Sequence, residues 1–339
     1  VIARIRTEDD VTGFGYVVQP RGDLMRAIAV AASELGQALV GQRVDEPDSA
    51  WHALARRAAW VGPGGLLNWA LAALDIALWD AYGRTVDRPL WRLLGGARQT
   101  LPAYASDNLW YSLPEDTLRQ SVRAHVDAGF AAVKLRLGHV RDTGEHAKRA
   151  AAAVAAANGQ AAVMVDATEG WDESFARRTG RALAREGVTW LEDPVPHTQL
   201  GALARLRGAL DLRVTGGEHY YTLEQIRACL QAEAVDVLIL DLARIGGVSP
   251  WRKAAALAEA FGIPLYGHVI PEVHAHLLAS TVIGEQVEYM PRSSDLFVDP
   301  PRPVGGHMTL DERPGHGLEL NMEAVARYRR GVIRGAIDE

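Results

Sequence analysis

The sequence predicts an α/β fold, a TIM-type barrel inserted into an α+β domain that both chain ends build. Three observations point there. Short apolar runs alternate with helix-patterned segments from Leu101 onward, acidic residues recur just past successive runs, and the first hundred residues follow a different pattern. The 339 residues suffice for one large barrel and a smaller domain.

The candidate strands are Leu101–Ala105, Ala131–Leu135, Ala162–Val165, Thr189–Leu191, Leu212–Thr215, Val235–Leu240, Pro264–Tyr266 and Gln286–Tyr289. Nearly continuous apolar strands imply a parallel sheet covered on both faces. Between them, Pro114–Ala128, Glu173–Glu186, Leu223–Gln231 and Ser249–Phe261 carry apolar residues at helical spacing, and Gly129, Gly187 and Gly262 are candidate helix stops. The Ala-rich run Ala150–Ala157 is a good helix. Eight strands over about 190 residues match a barrel better than a doubly wound sheet. No G-x-G-x-x-G follows a strand, which removes the main support for a dinucleotide fold.

The first hundred residues start with Val1-Ile-Ala-Arg-Ile-Arg, which reads as the middle of a strand, and Thr12–Tyr16, which reads as the end of a strand pair. Two helix-like stretches follow, Asp23–Leu39 and the nearly all-apolar Leu66–Tyr82. From Pro303 the tail returns to strand and turn chemistry, at Met308-Thr-Leu-Asp and Pro314–Leu320. The expected organisation is therefore a capping domain over residues 1–95, a barrel over 96–300 and a returning segment over 301–339.

Composition narrows the function. Apolar residues make up 48% of the chain at a mean hydropathy of −0.06, so a sizeable core is available. A net charge of −6 and a pI near 6.0 give no electrostatic footprint for nucleic acid. The basic tract Arg327–Arg330 reads as a solvated face. The single cysteine, Cys229, excludes an intrachain disulfide and a cysteine-rich zinc cage. There is no charge-free run of 18 apolar residues and no signal-peptide pattern at Val1, so no membrane partner is expected and the expected location is the cytoplasm.

Three acids stand just beyond three successive strands: Asp166, Glu192 and Glu218, at intervals of 26 residues each. That interval is close to one strand–helix repeat, and neighbouring strands of a barrel bring their C-terminal ends to one mouth. Three converging carboxylates are costly to ionise together. A hard divalent cation removes the cost, and carboxylates without a thiolate favour Mg²⁺ or Mn²⁺ over zinc. On the next strands stand Asp241 and His268, a pair in which the carboxylate fixes the imidazole tautomer and raises its basicity. Lys134 and Arg136 alternate on one strand and so point into the same mouth, as expected for an anionic substrate. Glu288 ends the last strand, placed to hydrogen-bond a developing oxyanion.

This constellation resembles the mandelate racemase subgroup of the enolase superfamily, and most closely an acid-sugar dehydratase of it. The matching stretches are Lys134-Leu-Arg136, Asp166-Ala-Thr, Leu191-Glu192-Asp-Pro, Gly216-Gly-Glu218-His, Asp241-Leu-Ala-Arg-Ile-Gly-Gly-Val, Gly267-His268 and Val287-Glu288-Tyr-Met. The resemblance covers essentially the whole chain. It implies a modified (β/α)₇β barrel with an α+β capping domain, whose first strand and specificity loop are expected before Val1. Asp166, Glu192 and Glu218 fall on the ligands of one Mg²⁺ per subunit. That ion holds a substrate carboxylate and stabilises the enediolate formed when the α-proton leaves. Asp241 and His268 fall on the base dyad, Glu288 on the acid that hydrogen-bonds the substrate carboxylate, and Lys134 on a residue that contacts it. A homo-oligomer, dimer to octamer, is the expected assembly.

Two positions depart from the pattern. Arg136 stands where the best-known members carry a second lysine base, and a guanidinium is a poor base but a good carboxylate clamp. Thr168 replaces the more usual asparagine two residues after the first ligand. One histidine can both abstract the α-proton and protonate a 3-hydroxyl on the same side. The resemblance therefore implies a Mg²⁺-dependent hydro-lyase in sugar-acid catabolism, giving a 2-keto-3-deoxy acid. The alternatives are a racemase, epimerase or cycloisomerase with Lys134 as the other base, and a catalytically silent sugar-acid binder. Arg136, His219 and Thr168 are further candidates for substrate contact, His219 equally a support for Glu218.

Other features are set aside. His274 and His276 sit at i and i+2 of a helix-patterned segment and do not share a face. Gly62-Pro-Gly-Gly65 lacks the Lys-Ser/Thr of a phosphate loop. Trp51, Trp60, Trp69, Trp79 and Trp91 are assigned to core or subunit contacts.

Overall fold

The computed structural model describes every residue except Pro20, Arg21, Asp23, His139 and residues 334–339. Two antiparallel strands, β1 (Ile2–Arg6) and β2 (Thr12–Tyr16), are followed by α1 (Met25–Gly36), α2 (Pro47–Ala58), α3 (Gly65–Thr85) and the one-turn α4 (Leu90–Leu93). The alternating part runs β3 (Thr100–Ala105), α5 (Glu115–Asp127), β4 (Ala132–Arg136), α6 (Thr143–Ala157), β5 (Ala162–Asp166) and α7 (Glu173–Arg185). It continues through β6 (Val188–Glu192), α8 (Leu200–Arg207), β7 (Arg213–Gly216), α9 (Leu223–Gln231) and β8 (Val237–Asp241). Then come α10 (Leu242–Ile245), α11 (Val248–Ala260), β9 (Leu265–His268), α12 (Pro271–Ala279) and β10 (Gly284–Tyr289). The tail holds β11 (Phe297–Val298), β12 (His307–Thr309), β13 (Glu319–Leu320) and α13 (Met322–Tyr328).

Strands β3 to β10 pair in parallel in sequence order, and β10 pairs with β3, so the sheet closes into an eight-stranded barrel. Seven strands are followed by helices and the eighth is not, which is the (β/α)₇β arrangement. Local chemistry starts the helices: Asp142 and Asp172 accept backbone N–H groups at the first turns of α6 and α7, and Thr222 with Gln225 makes a capping box on α9. Inside the barrel, Tyr104, Met164, Trp190, Ile239 and Tyr266 form an apolar layer. Side chains alternate along a strand, so the residue two positions on from each faces the same interior, one layer nearer the mouth. Those residues are Ser106, Asp166, Glu192, Asp241 and His268.

The cap is seated by close contact and buried hydrogen bonds. A Cβ on Gly13 would lie 2.3 Å from the Ala81 nitrogen, and one on Gly15 2.2 Å from the Ala73 oxygen, so only glycine lets β2 lie on the backbone of α3. Asp75 of α3 accepts from the Ser249 backbone and hydroxyl at 2.8 Å each, and Tyr16 donates to Glu272 of α12 at 2.5 Å. Among the described residues no helix is long and apolar enough to cross a membrane.

Several expectations change. The stretch Asp23–Leu39 begins on a residue outside the described set; its helix spans Met25–Gly36 and ends in a 3₁₀ turn, Gln37–Leu39. Helix α2 was not anticipated, although Pro47 at its start and Asp48 in its first turn are start signals. Trp60 is 99% exposed and so is no part of the core, whereas Trp79 and Trp91 are buried. The tail divides. His307–Thr309 pairs antiparallel with β3 of the barrel rather than with the cap. His316 instead reaches the cap, its Nε2 2.8 Å from the Phe14 oxygen. His274 and His276 are buried on α12 and bonded to the backbone oxygens of Val269 and His316.

Candidate active site

The C-terminal ends of the barrel strands gather Lys134, Arg136, Asp166, Glu192, Asp241 and Glu288, all buried, with the partly exposed Glu218 and His268 into one cluster. Asp166 and Glu192 are opposite each other in the β5–β6 register, and Asp241 and His268 are opposite in β8–β9. Glu218 lies two residues past β7.

Lys134 Nζ is fully buried and donates to both oxygens of Glu192, at 2.7 and 2.8 Å, while burial raises the Glu192 carboxyl against the pull of that charge. It also lies 3.0 Å from Glu288 Oε1. Burial acts against its charge, but Glu192 and Glu288 outweigh that and hold it protonated, well above the ordinary lysine range. Arg136 lies 3.4 Å from Asp166 and 3.7 Å from Glu288, donates to the Ser106 hydroxyl, and stacks on Trp110 at 4.6 Å. Burial raises the Asp166 carboxyl.

The dyad has definite geometry. His268 Nδ1 lies 2.6 Å from Asp241 Oδ2, which leaves Nε2 free of that carboxylate and 3.0 Å from Glu218 Oε2. Asp241 also accepts from the Arg244 backbone N–H at 2.7 Å. Burial disfavours the imidazolium, yet Glu218 and Asp241 raise His268 above the usual histidine value. Burial would raise Glu218, but His268 and Arg244 hold it below the carboxylate range. Glu288 is likewise held down against burial by Lys134, His268 and Arg136, and it accepts from the Val269 N–H at 3.0 Å.

His219 Nε2 lies 3.4 Å from Asp193 and 3.6 Å from Glu218. Burial lowers its pKa, but Asp193 and Glu218 lift it to about 9. The Thr168 N–H donates to Asp166 Oδ1 at 2.7 Å, with Thr168 itself at φ 49°. Two site residues escaped the sequence reading. Arg244 binds Glu218 Oε1 at 3.1 Å, and Asp193 holds His219. Gly216 gives Asp193 its room, since a Cβ there would lie 2.5 Å from the Asp193 Oδ1.

The three anticipated ligands fit a hard cation by donor chemistry: all are carboxylates at the ends of adjacent strands, Asp166 and Glu192 buried and Glu218 nearly so at 12% side-chain exposure. Each is held by a protein cation, through Arg136, Lys134 and Arg244 respectively. Among the described residues, the triads with ligating atoms within 4.8 Å of one another are Asp193–Glu218–His219 and Glu169–His197–His219.

Comparison with known proteins agrees with this architecture. Residues 1–95 match the profile "Mandelate racemase / muconate lactonizing enzyme, N-terminal domain", and residues 117–325 match "Enolase C-terminal domain-like". The chain is 30% identical to a 3,6-anhydro-alpha-L-galactonate cycloisomerase of Streptomyces coelicolor, over 98% of this chain and 91% of that protein. It is 29% identical to L-talarate/galactarate dehydratase of Salmonella typhimurium, over 96% and 81%. The crystal structure of an L-talarate dehydratase from Polaromonas sp. JS666, complexed with Mg and L-glucarate, superposes with a TM-score of 0.91 at 28% identity, over 97% and 91%. With both profiles matched across nearly its full length, the chain belongs to the mandelate racemase/muconate lactonizing enzyme family of the enolase superfamily.

Proposed function

We propose that this protein is a Mg²⁺-dependent acid-sugar dehydratase. The observation that carries the reading is the asymmetry of the site. On one side stands His268, oriented by Asp241; on the other stands Arg136, engaged by Asp166 and stacked on Trp110. Among the described residues, only the His268 side offers a base that is not held by a carboxylate pair. Lys134, the remaining candidate, is buried and ion-paired to two carboxylates.

Asp166, Glu192 and Glu218 would hold the ion, which supplies a seat for the substrate carboxylate and lowers the acidity barrier at the α-carbon. Neutral His268 takes the α-proton on Nε2, while Asp241 stabilises the imidazolium. Lys134 and Arg136 present positive charge where the carboxylate gains electron density, the largest expected share of the acceleration. His268 then returns its proton to the 3-hydroxyl as the C3–O bond breaks. Water leaves, and the enol product ketonises to a 2-keto-3-deoxy acid. Similarity to the talarate/galactarate dehydratase supports this reading. Replacing His268 by Asn is expected to abolish turnover and leave Mg²⁺ binding intact; continued dehydration by that variant would sink the assignment.

The cycloisomerase likeness favours a second reading, an isomerisation through the same proton abstraction. Incubation with mono- and di-acid sugars in D₂O separates the two. Deuterium exchange without keto-acid formation supports isomerisation.

A further inference from the structure

Outside the carboxylate cluster, the loops after β5, β6 and β7 bring together Glu169, His197 and His219. His197 Nδ1 lies 2.7 Å from Glu169 Oε1, and the His197 backbone N–H donates to the same oxygen. His219 Nε2 lies 3.8 Å from Glu169 Oε2. The ligating atoms of all three fall within 4.8 Å of one another. Their side chains are 23–26% exposed, so solutes reach them.

The supporting contacts hold the group in place. The two imidazoles stack with centroids 5.4 Å apart and planes 22° apart. Tyr220 donates to the His197 oxygen at 3.3 Å, and the Glu169 N–H donates to the Asp193 oxygen at 2.7 Å. Asp193 and Glu218 flank His219, so three carboxylates surround two imidazoles. That field repels an anion and attracts a cation.

Two nitrogens and a carboxylate oxygen are a donor set for Zn²⁺, Co²⁺ or Ni²⁺ and a poor one for Mg²⁺, which takes oxygen and keeps its water. We propose that Glu169, His197 and His219 form a second divalent-cation site, for a nitrogen-preferring transition metal, at the rim of the barrel mouth. It differs in ligand chemistry from the all-carboxylate set of Asp166, Glu192 and Glu218. Because His219 Nε2 is 3.6 Å from Glu218, a cation seated at the rim competes for a carboxylate that the inner set uses.

Equilibrium dialysis of Co²⁺ against the protein in excess Mg²⁺, with the visible absorption of bound Co²⁺ followed in parallel, tests the site. The wild type is expected to retain one Co²⁺ per chain with Mg²⁺ present. His197→Ala and Glu169→Gln are expected to weaken that binding by at least about tenfold, the lower end of what loss of ligand support costs. Glu192→Gln, which alters the inner set, is expected to keep it. Unchanged Co²⁺ binding in both rim variants, loss of binding in Glu192→Gln, or no Co²⁺ retained by the wild type overturns the proposal. The readout is a binding count, independent of whether the enzyme proves to be a dehydratase.

Discussion

Asp241 Oδ2 stands 2.6 Å from His268 Nδ1 across paired positions of β8 and β9, so the backbone register itself sets the dyad. The other Asp241 oxygen is already taken by the Arg244 N–H at 2.7 Å. An Asp241→Asn side chain keeps its oxygen on Arg244 and turns its amide N–H toward His268. That contact favours the wrong tautomer, with the proton on Nε2. The expected loss in kcat is about 10²–10⁴-fold, with Mg²⁺ affinity little changed. Glu218 and Asp241 raise the His268 pKa against burial, so removing one of them lowers it. The acidic limb of the kcat/KM profile, where the base becomes protonated, is then expected at lower pH in the variant.

A second prediction concerns Asp75, buried where α3 meets the start of α11. Burial pushes its pKa up to about 7, against the hydrogen bonds from Ser249. In the unfolded chain the same carboxyl ionises near its ordinary value. The folded state therefore binds this proton more tightly, and stability falls as pH rises from about 4 to about 7. Asp75→Asn has no proton to lose and can still accept from Ser249. Thermal midpoints at pH 5 and pH 8 are expected to fall further in the wild type than in the variant. An equal fall in both would count against a buried neutral carboxyl.

The sequence pattern located the strand ends well because an apolar run followed by an acid is a strong local signal. Ala162–Val165 was expected and Ala162–Asp166 is found. The last strand was read short, from Gln286, because it starts in the polar Gly284-Glu-Gln, where the pairing with β9 is irregular. Pairing partners were less legible. Alternation places Lys134 inside the barrel, but its choice of Glu192 and Glu288 depends on how several charges share one cavity. Arg244 and Asp193 lie beside recognised residues without a pattern of their own, and only the fold turns them toward Glu218 and His219. Trp60 carries the opposite lesson, since composition leaves core and subunit contact equally open to a tryptophan and tertiary placement alone keeps this one out of the core.

Thr168 supplies a third prediction. Its φ of 49° lies in the left-handed region, which a β-branched residue adopts at a cost of about 1–3 kcal/mol. The conformation is what aims its N–H at Asp166 Oδ1. Asparagine tolerates that region and keeps the N–H. Thr168→Asn is therefore expected to raise the thermal midpoint, with a gain of roughly 1 kcal/mol in chemical denaturation. A lower midpoint would mean that the threonine side chain contributes packing that exceeds the backbone cost.

The last prediction takes up the asymmetry between the two sides of the site. Arg136 keeps its charge at working pH and is braced by Ser106, Asp166 and Trp110, so it accepts no proton from a substrate. Lysine at the same place has a shorter, unstacked stem and an amine that can lose its proton when desolvated. Arg136→Lys is expected to introduce a second base facing His268 across the substrate. In D₂O the wild type then exchanges or eliminates with deuterium delivered from one face only. The variant incorporates deuterium from both faces and epimerises a fraction of the acid at C2, while its dehydration slows through loss of the guanidinium clamp. Proton NMR of recovered substrate reads both effects. Two-faced exchange already present in the wild type would show that a base opposite His268 exists without the substitution, and Lys134 would then be its source.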